Sequence, residues 1–176
     1  MAILVRAARV QDVPVLVRLR LANAERHTSL DSAGHRLPEE GAVRRHFEEL
    51  LGDSGGTDVL VLVAEVSGSV VGMSEIVMMP APPDHQILVP RRSAQVHTVV
   101  LEDYRGQGVG KTLVAAAERR AAQCGVSHLF APILAPNTEA ISFYSRAGFG
   151  QHGIILAKEL PGHGSGPTPA VPDRRA

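Results

Sequence analysis

Tyr104 to Thr112 runs YRGQGVGKT. It follows VHTVV (residues 96–100), a run of the β-branched and apolar type that makes strands. After it, Leu113, Val114, Ala117, Ala121 and Cys124 recur at helical spacing, with Glu118, Arg119 and Arg120 on the other side. The stretch is therefore a strand running through a tight glycine turn into the start of a helix. The first amides of a helix lack intrahelical acceptors and carry the positive end of its dipole, so such a turn suits a phosphate.

Two common phosphate loops fail here on a countable residue. A Walker A loop needs G-x-x-x-x-G-K-S/T. Gly110-Lys111-Thr112 supplies its end, but position 105 is Arg and Gly106 lies one residue too close. A Rossmann fingerprint needs G-x-G-x-x-G. Gly106 and Gly108 fit it, but position 111 is Lys, and the loop lies in mid-chain after several strands rather than after a first parallel one.

Working outward, Ile3 to Val5 reads as a strand and Asp12 as the N-cap of a helix carrying Val13, Leu16, Val17, Leu19 and Leu21. His27 to Glu40 reads as a polar loop. A second helix is predicted from Gly41 to Leu51, ended by GDSGG. Val59 to Val66 is a continuous apolar run, as in a strand buried on both faces. Ser67-Gly68-Ser69 is a hairpin connection, Val70 to Met79 the returning strand, and Pro80 to Arg92 a loop. Ser93 to Leu101 and His128 to Ile133 are further strands. Asn137 or Thr138 caps a short helix ending at Gly148, and Phe149 to Leu160 should hold the last strand or strands. The order β-α-α-β-β-β-α-β-α-β fits a mixed α/β sheet with helices on both faces. Residues 1–160 make one domain, and the Pro- and Gly-rich residues 161–176 read as a flexible tail.

Composition narrows the function. A chain of 176 residues fits one domain. Eighteen Lys and Arg balance eighteen Asp and Glu, which argues against nucleic acid or an anionic membrane as a partner. A lone cysteine, Cys124, allows no internal disulfide and suits the cytoplasm. It falls on an apolar helix face, as a core residue does. MAILVRAARV is too short and too soon charged for a secretion signal, and no stretch is long and apolar enough to span a bilayer. Eight histidines show no ligand spacing, so no metal site is expected. Arg91 and Arg92 read as a solvated loop.

Two motifs resemble a known family. Arg105-Gly106-Gln107-Gly108-Val109-Gly110 matches the Q/R-x-x-G-x-G/A signature of the GNAT family of N-acetyltransferases. Asn137, Ala140, Phe143-Tyr144 and Gly148-Phe149 resemble its second motif, N-x-x-A-x-x-F/L-Y-x-x-x-G-F. Together they span about Ala94 to Phe149. The resemblance implies an acyl-CoA N-acyltransferase fold, mostly antiparallel, whose fourth and fifth strands splay apart around acetyl-CoA. It implies that backbone amides from Arg105 to Gly110, with Lys111 and Thr112, take the pyrophosphate. Backbone groups of Val99 and Val100 would pair with pantetheine and receive the oxyanion, with Asn137 and Phe143 beside the cofactor arm. Tyr144 would protonate the departing thiolate.

The family often places a glutamate base on the fourth strand, and Gln95-Val96-His97-Thr98 has none. His97 is the titratable group there, and an ordinary pKa of about 6.5 suits a base or simply a hydrogen-bonding residue. Glu75, on the adjacent strand, reads as a solvated polar position before a base. His27, Asp31, His35, Glu39, Glu40, Asp84 and His85, in the two flanking loops, are expected to recognise the amine. The implied reaction is acetyl transfer to a small-molecule amine, with a peptide acceptor or a non-catalytic acyl-CoA-binding role as alternatives. Family members are often dimers, so a homodimer is an expectation as well.

Overall fold

Five strands form one sheet in chain order, β1-β2-β3-β4-β5, in the computed structural model, which describes residues 2–52 and 58–158. The strands are β1 (Ile3–Ala7), β2 (Val59–Val66), β3 (Ser69–Met78), β4 (Ser93–Val100) and β5 (His128–Phe130). The first four pair antiparallel and β5 runs parallel to β4. Helices α1 (Val13–Leu30) and α2 (Glu40–Leu51) cover one face, and α3 (Val109–Gln123) and α4 (Thr138–Arg146) the other. The mixed α/β class with helices on both faces is as the sequence implies.

Each face has its own core. Leu16, Leu19 and Phe47 from α1 and α2 pack on Val61, Val63, Met73 and Val99. Leu113, Val114, Ala117 and Ala121 from α3, with Tyr144 from α4, pack on Leu62, Ala64, Ile76 and Val96. The central strands feed both cores, which explains why β2 reads as an unbroken apolar run. Burying a Leu or Phe side chain contributes about 1.5–3 kcal/mol, so these two layers hold the sheet in place.

Three expectations need correction. The segment from His27 to Glu40 is not all loop, because α1 continues to Leu30. Ala22, Ala24, Glu25 and Arg26 are good helix formers and no glycine intervenes before Gly34. Asp12 precedes α1 but does not cap it with its side chain. Its carboxylate instead takes Arg6 and the Arg9 amide, at 2.7 and 2.8 Å. Residues 149–158 form no strand. Ile154, Ile155 and Leu156 lie exposed, since β propensity needs an edge to pair with and the three-residue β5 offers little. The GDSGG segment from Asp53 on, and the tail from residue 161, lie outside the described residues.

The sheet parts between β4 and β5, at its β5 end. Pairing of β4 with β5 covers Ser93, Ala94 and Gln95 only, while β4 runs on to Val100. From Val96 onward its β5-facing edge has no strand partner among the described residues.

Candidate active site

The parted edge of β4 defines the site, and backbone parity says which groups line it. Met79 N–H donates to Ser93 O at 2.9 Å, and Leu101 N–H donates to Val71 O at 2.9 Å. Between these bonds the β3–β4 register is unbroken. In an antiparallel pair alternate residues turn their amides toward the partner. Gln95, His97 and Val99 therefore spend their backbone groups on β3. Thr98 and Val100 present theirs to the gap. Of the two valines assigned to the donor, Val100 faces it and Val99 does not. Val99 contributes its side chain to the α1–α2 core instead. The Val100 carbonyl already accepts from Arg105 Nε at 3.3 Å, so the N–H is the backbone group Val100 offers the gap.

The glycine turn stands directly beyond this edge. Gly106 and Gly108 have φ of 72° and 85°, the left-handed region that favours glycine. A Cβ on Gly106 would meet nothing, so the backbone above the turn is open. Thr112 is the first α3 residue to reach a carbonyl, bonding Gly108 O at 3.0 Å through both its N–H and its Oγ1. The amides of Val109, Gly110 and Lys111 precede that bond and remain available. Gly110 leaves room for Phe143, whose ring would lie 3.1 Å from a Cβ there. Gln107 Nε2 ties the turn down by donating to Asp103 O at 2.7 Å. The Arg105 amide, by contrast, is already used, donating to Glu102 O at 3.0 Å.

Tyr144 reaches the gap from α4. It is 7% exposed and packed edge-on against Phe143 and Phe149, with ring centroids 4.9 and 5.2 Å away. Burial raises its pKa, and the adjacent Thr98 hydroxyl and backbone pull it partly back. The phenol thus keeps its proton at neutral pH and can donate it. Asn137 caps α4, its Oδ1 accepting from Ala140 N–H at 3.2 Å, which leaves its amide NH₂ for a ligand.

His97 sits on the opposite face, half-buried. Its pKa is lowered, first by burial; Glu75 opposes this, while Arg20 and His27 reinforce it. A neutral imidazole at physiological pH can accept a proton. Glu75 is its cross-strand partner, and it is not solvated as the sequence suggested: it is 4% exposed and paired with Arg20. Burying a carboxylate is tolerable here because the guanidinium meets both of its oxygens.

Sequence reasoning missed Arg20 and Thr98. Arg20 hides in an amphipathic helix as an ordinary surface cation. Thr98 lies one residue from His97 and shares a 3.1 Å hydrogen bond with Ser74. Of the loop residues assigned to the amine, Asp31 and His35 meet at 3.2 Å, and the His27 and His35 rings are 5.4 Å apart. Glu39 and Glu40 instead pair with Arg45 and Arg44, and Asp84 and His85 are exposed. Cys124 is half-buried at the end of α3. A cavity of about 420 Å³ lined by Met79, Ala81, Pro90, Arg91 and Arg92 lies at the other end of β4 and holds none of these groups.

A family model described as the acetyltransferase (GNAT) family matches residues 23–149. That span takes in the glycine turn, the parted edge and α4. The chain belongs to the GNAT acetyltransferase family. An uncharacterised N-acetyltransferase of Bacillus subtilis, YycN, is 31% identical over 81 residues, covering 46% of this chain and 49% of YycN. The match thus spans about half of each protein. A mutant of the BH1408 protein from Bacillus halodurans has a similar fold, with a TM-score of 0.80 and 21% identity over 89% of this chain and 99% of that one. So does an aminoglycoside N-acetyltransferase, AAC(6')-Iy, solved in complex with CoA. Its TM-score is 0.67, with 17% identity over 91% of this chain and 95% of that one. No described helix of this GNAT protein is long and apolar enough to cross a membrane.

Proposed function

We propose that this acetyltransferase moves an acetyl group from acetyl-CoA to a primary amine of a small molecule, by direct attack in a ternary complex. One observation carries the reading: the free amides of Val109, Gly110 and Lys111 stand beside the gap-facing residue Val100, whose side chain would lie 3.7 Å from a Cβ on Gly110. The pyrophosphate of CoA belongs on those amides, with Lys111 and Thr112 beside it. A pantetheine amide N–H belongs on the gap-facing Thr98 carbonyl, as a substitute for the missing strand, since the Val100 carbonyl is taken by Arg105. The CoA complex of the similarly folded aminoglycoside enzyme is in keeping with this, and that enzyme's name supports a small-molecule amine.

The chemistry follows from the groups around the gap. The neutral amine nitrogen attacks the thioester carbonyl carbon from the α1–α2 face. His97 takes the amine proton, directly or through water. The carbonyl π electrons move to oxygen, and the Val100 N–H stabilises that oxyanion. Collapse re-forms the carbonyl, breaks the C–S bond, and Tyr144 O–H protonates the leaving thiolate. Tyr144 is later reprotonated from solvent.

The test compares acetyl-CoA, CoA and Mg-ATP in a thermal-shift assay. A ligand at 100 times its Kd stabilises the folded state by about 2.7 kcal/mol. Stabilisation by both CoA species but not by ATP is expected, followed by CoA release with an amine panel. Stabilisation by ATP alone overturns the reading.

A further inference from the structure

The Arg20–Glu75 pair takes no direct part in the proposed proton and acyl transfers. Both groups nevertheless face His97. Glu75 is directly opposite it in the β3–β4 register, on the same face, where cross-strand side chains stand about 5 Å apart. Arg20 reaches down from α1 onto the Glu75 carboxylate, and its guanidinium lies 5.7 Å from the Phe47 ring centre on α2. His27 follows about two turns along the same helix and points the same way. Among the described residues, Glu75 from β3 and Arg20 and His27 from α1 are the charged or titratable groups acting on His97, and α2 contributes Phe47, with His46 packed against it.

A lone carboxylate here would hold a proton on His97 and spoil it as a base. A carboxylate clasped by a guanidinium does so only weakly. A pair of zero net charge also keeps the amine side of the sheet from trapping either an ammonium or an anion. Resting on the reading of His97 as base, we propose that Arg20 and Glu75 are positioning residues, a charge-setting pair that governs when the His97 imidazole is free to accept the amine's proton.

The test reads the imidazole itself and needs no acetyl transfer. Full-length protein carrying ¹³C-labelled histidine is titrated by NMR, with the His97 signal assigned by its loss in His97→Asn. Glu75→Gln removes the negative charge and lowers the His97 midpoint by about one unit, the size expected of one nearby charge. Arg20→Met removes the positive charge and raises it by a similar amount, whereas Arg20→Lys leaves it near the parent value. Glu75→Gln retains a carbonyl acceptor for Arg20 and so keeps the fold; it carries the test even where Arg20→Met does not fold. An unmoved midpoint in Glu75→Gln, or a shift of the same sign in Glu75→Gln and Arg20→Met, overturns the proposal. If the midpoints move oppositely while the acid limb of acetyl transfer stays put, the pair still governs His97, and the reading of His97 as base is what falls.

Discussion

Tyr144 and His97 address β4 from opposite faces of the sheet. Tyr144 packs among the α3–α4 core beside Thr98, while His97 looks toward α1 and α2 alongside Glu75. A single strand thus separates the proposed acid from the proposed base, and the gap beside it is where they meet the substrate. In the proposed reaction the donor lies on the α3–α4 side and the amine attacks from the α1–α2 side.

Tyr144→Phe tests the acid. The ring keeps its contacts with Phe143 and Phe149, so the fold stays intact. With the hydroxyl gone, kcat is expected to fall about 100-fold, the lower end of what a positioned acid contributes. The KM for acetyl-CoA should stay within about twofold. Steady-state kinetics checks this, and an unchanged kcat removes Tyr144 from the chemistry.

The glycine turn makes a different demand. Gly108→Ala places a side chain at φ 85°, at a cost of about 1–2 kcal/mol. Gly110→Ala brings a Cβ to 3.1 Å from the Phe143 ring. Both variants should bind CoA about tenfold more weakly, which corresponds to about 1.4 kcal/mol. Calorimetric titration with CoA measures it. Unaltered affinity in both would mean that the phosphate lies elsewhere.

The pH profile should carry the mark of a buried histidine. Burial lowers the His97 pKa, so the acid limb of kcat/KM should fall below the ordinary value of about 6.5. His97→Asn is expected to abolish that limb and cost about 100-fold in rate at neutral pH. A limb that survives in the variant assigns it to another group.

Far from the gap, Arg6 bridges Asp12 and Glu65 and ties β1, β2 and the start of α1 together. The Arg6 hydrogen bonds hold the Asp12 carboxyl below its ordinary range. Its contribution to stability is therefore complete above about pH 4 and is lost as pH falls through the lowered folded value. Asp12→Asn should cost about 1–2 kcal/mol at neutral pH, since Arg6 keeps Glu65, and flatten the acid side of the stability curve. Urea titrations at several pH values decide it, and a parallel curve for the variant would refute it.

Much of this molecule was legible in its sequence, and the reasons differ by element. The strands β2 and β4 and the helix α3 declare themselves because burial fixes their hydrophobic period. YRGQGVGKT declares a turn because two of its glycines adopt a conformation that costs other residues dearly. Asn137 declares a cap, and its side chain makes one. Arg20 and Glu75 stayed hidden, since a charged residue has the same letter whether it meets water or a partner 55 positions away. The division between Val99 and Val100 was equally invisible. It depends on the strand's register, which no local pattern encodes. The strand expected after Phe149 was read from apolar content alone, and such content makes a strand only beside a free edge.

The parted edge of β4 also has a bearing on solubility. Exposed backbone on a strand is a template for any extended chain, including a second copy of this one or a nascent peptide. Natural sheets usually shield such edges with charge, proline or a covering loop. Here the stretch from Val96 to Val100 has no proline and no charged side chain of its own, and the Arg105 side chain on the Val100 carbonyl and Tyr144 beside the Thr98 backbone shield part of it. The open edge beside β5 is therefore available to pair. In the proposed reading acetyl-CoA closes that edge as a surrogate strand, and saturating CoA is then expected to slow aggregation of the heated protein.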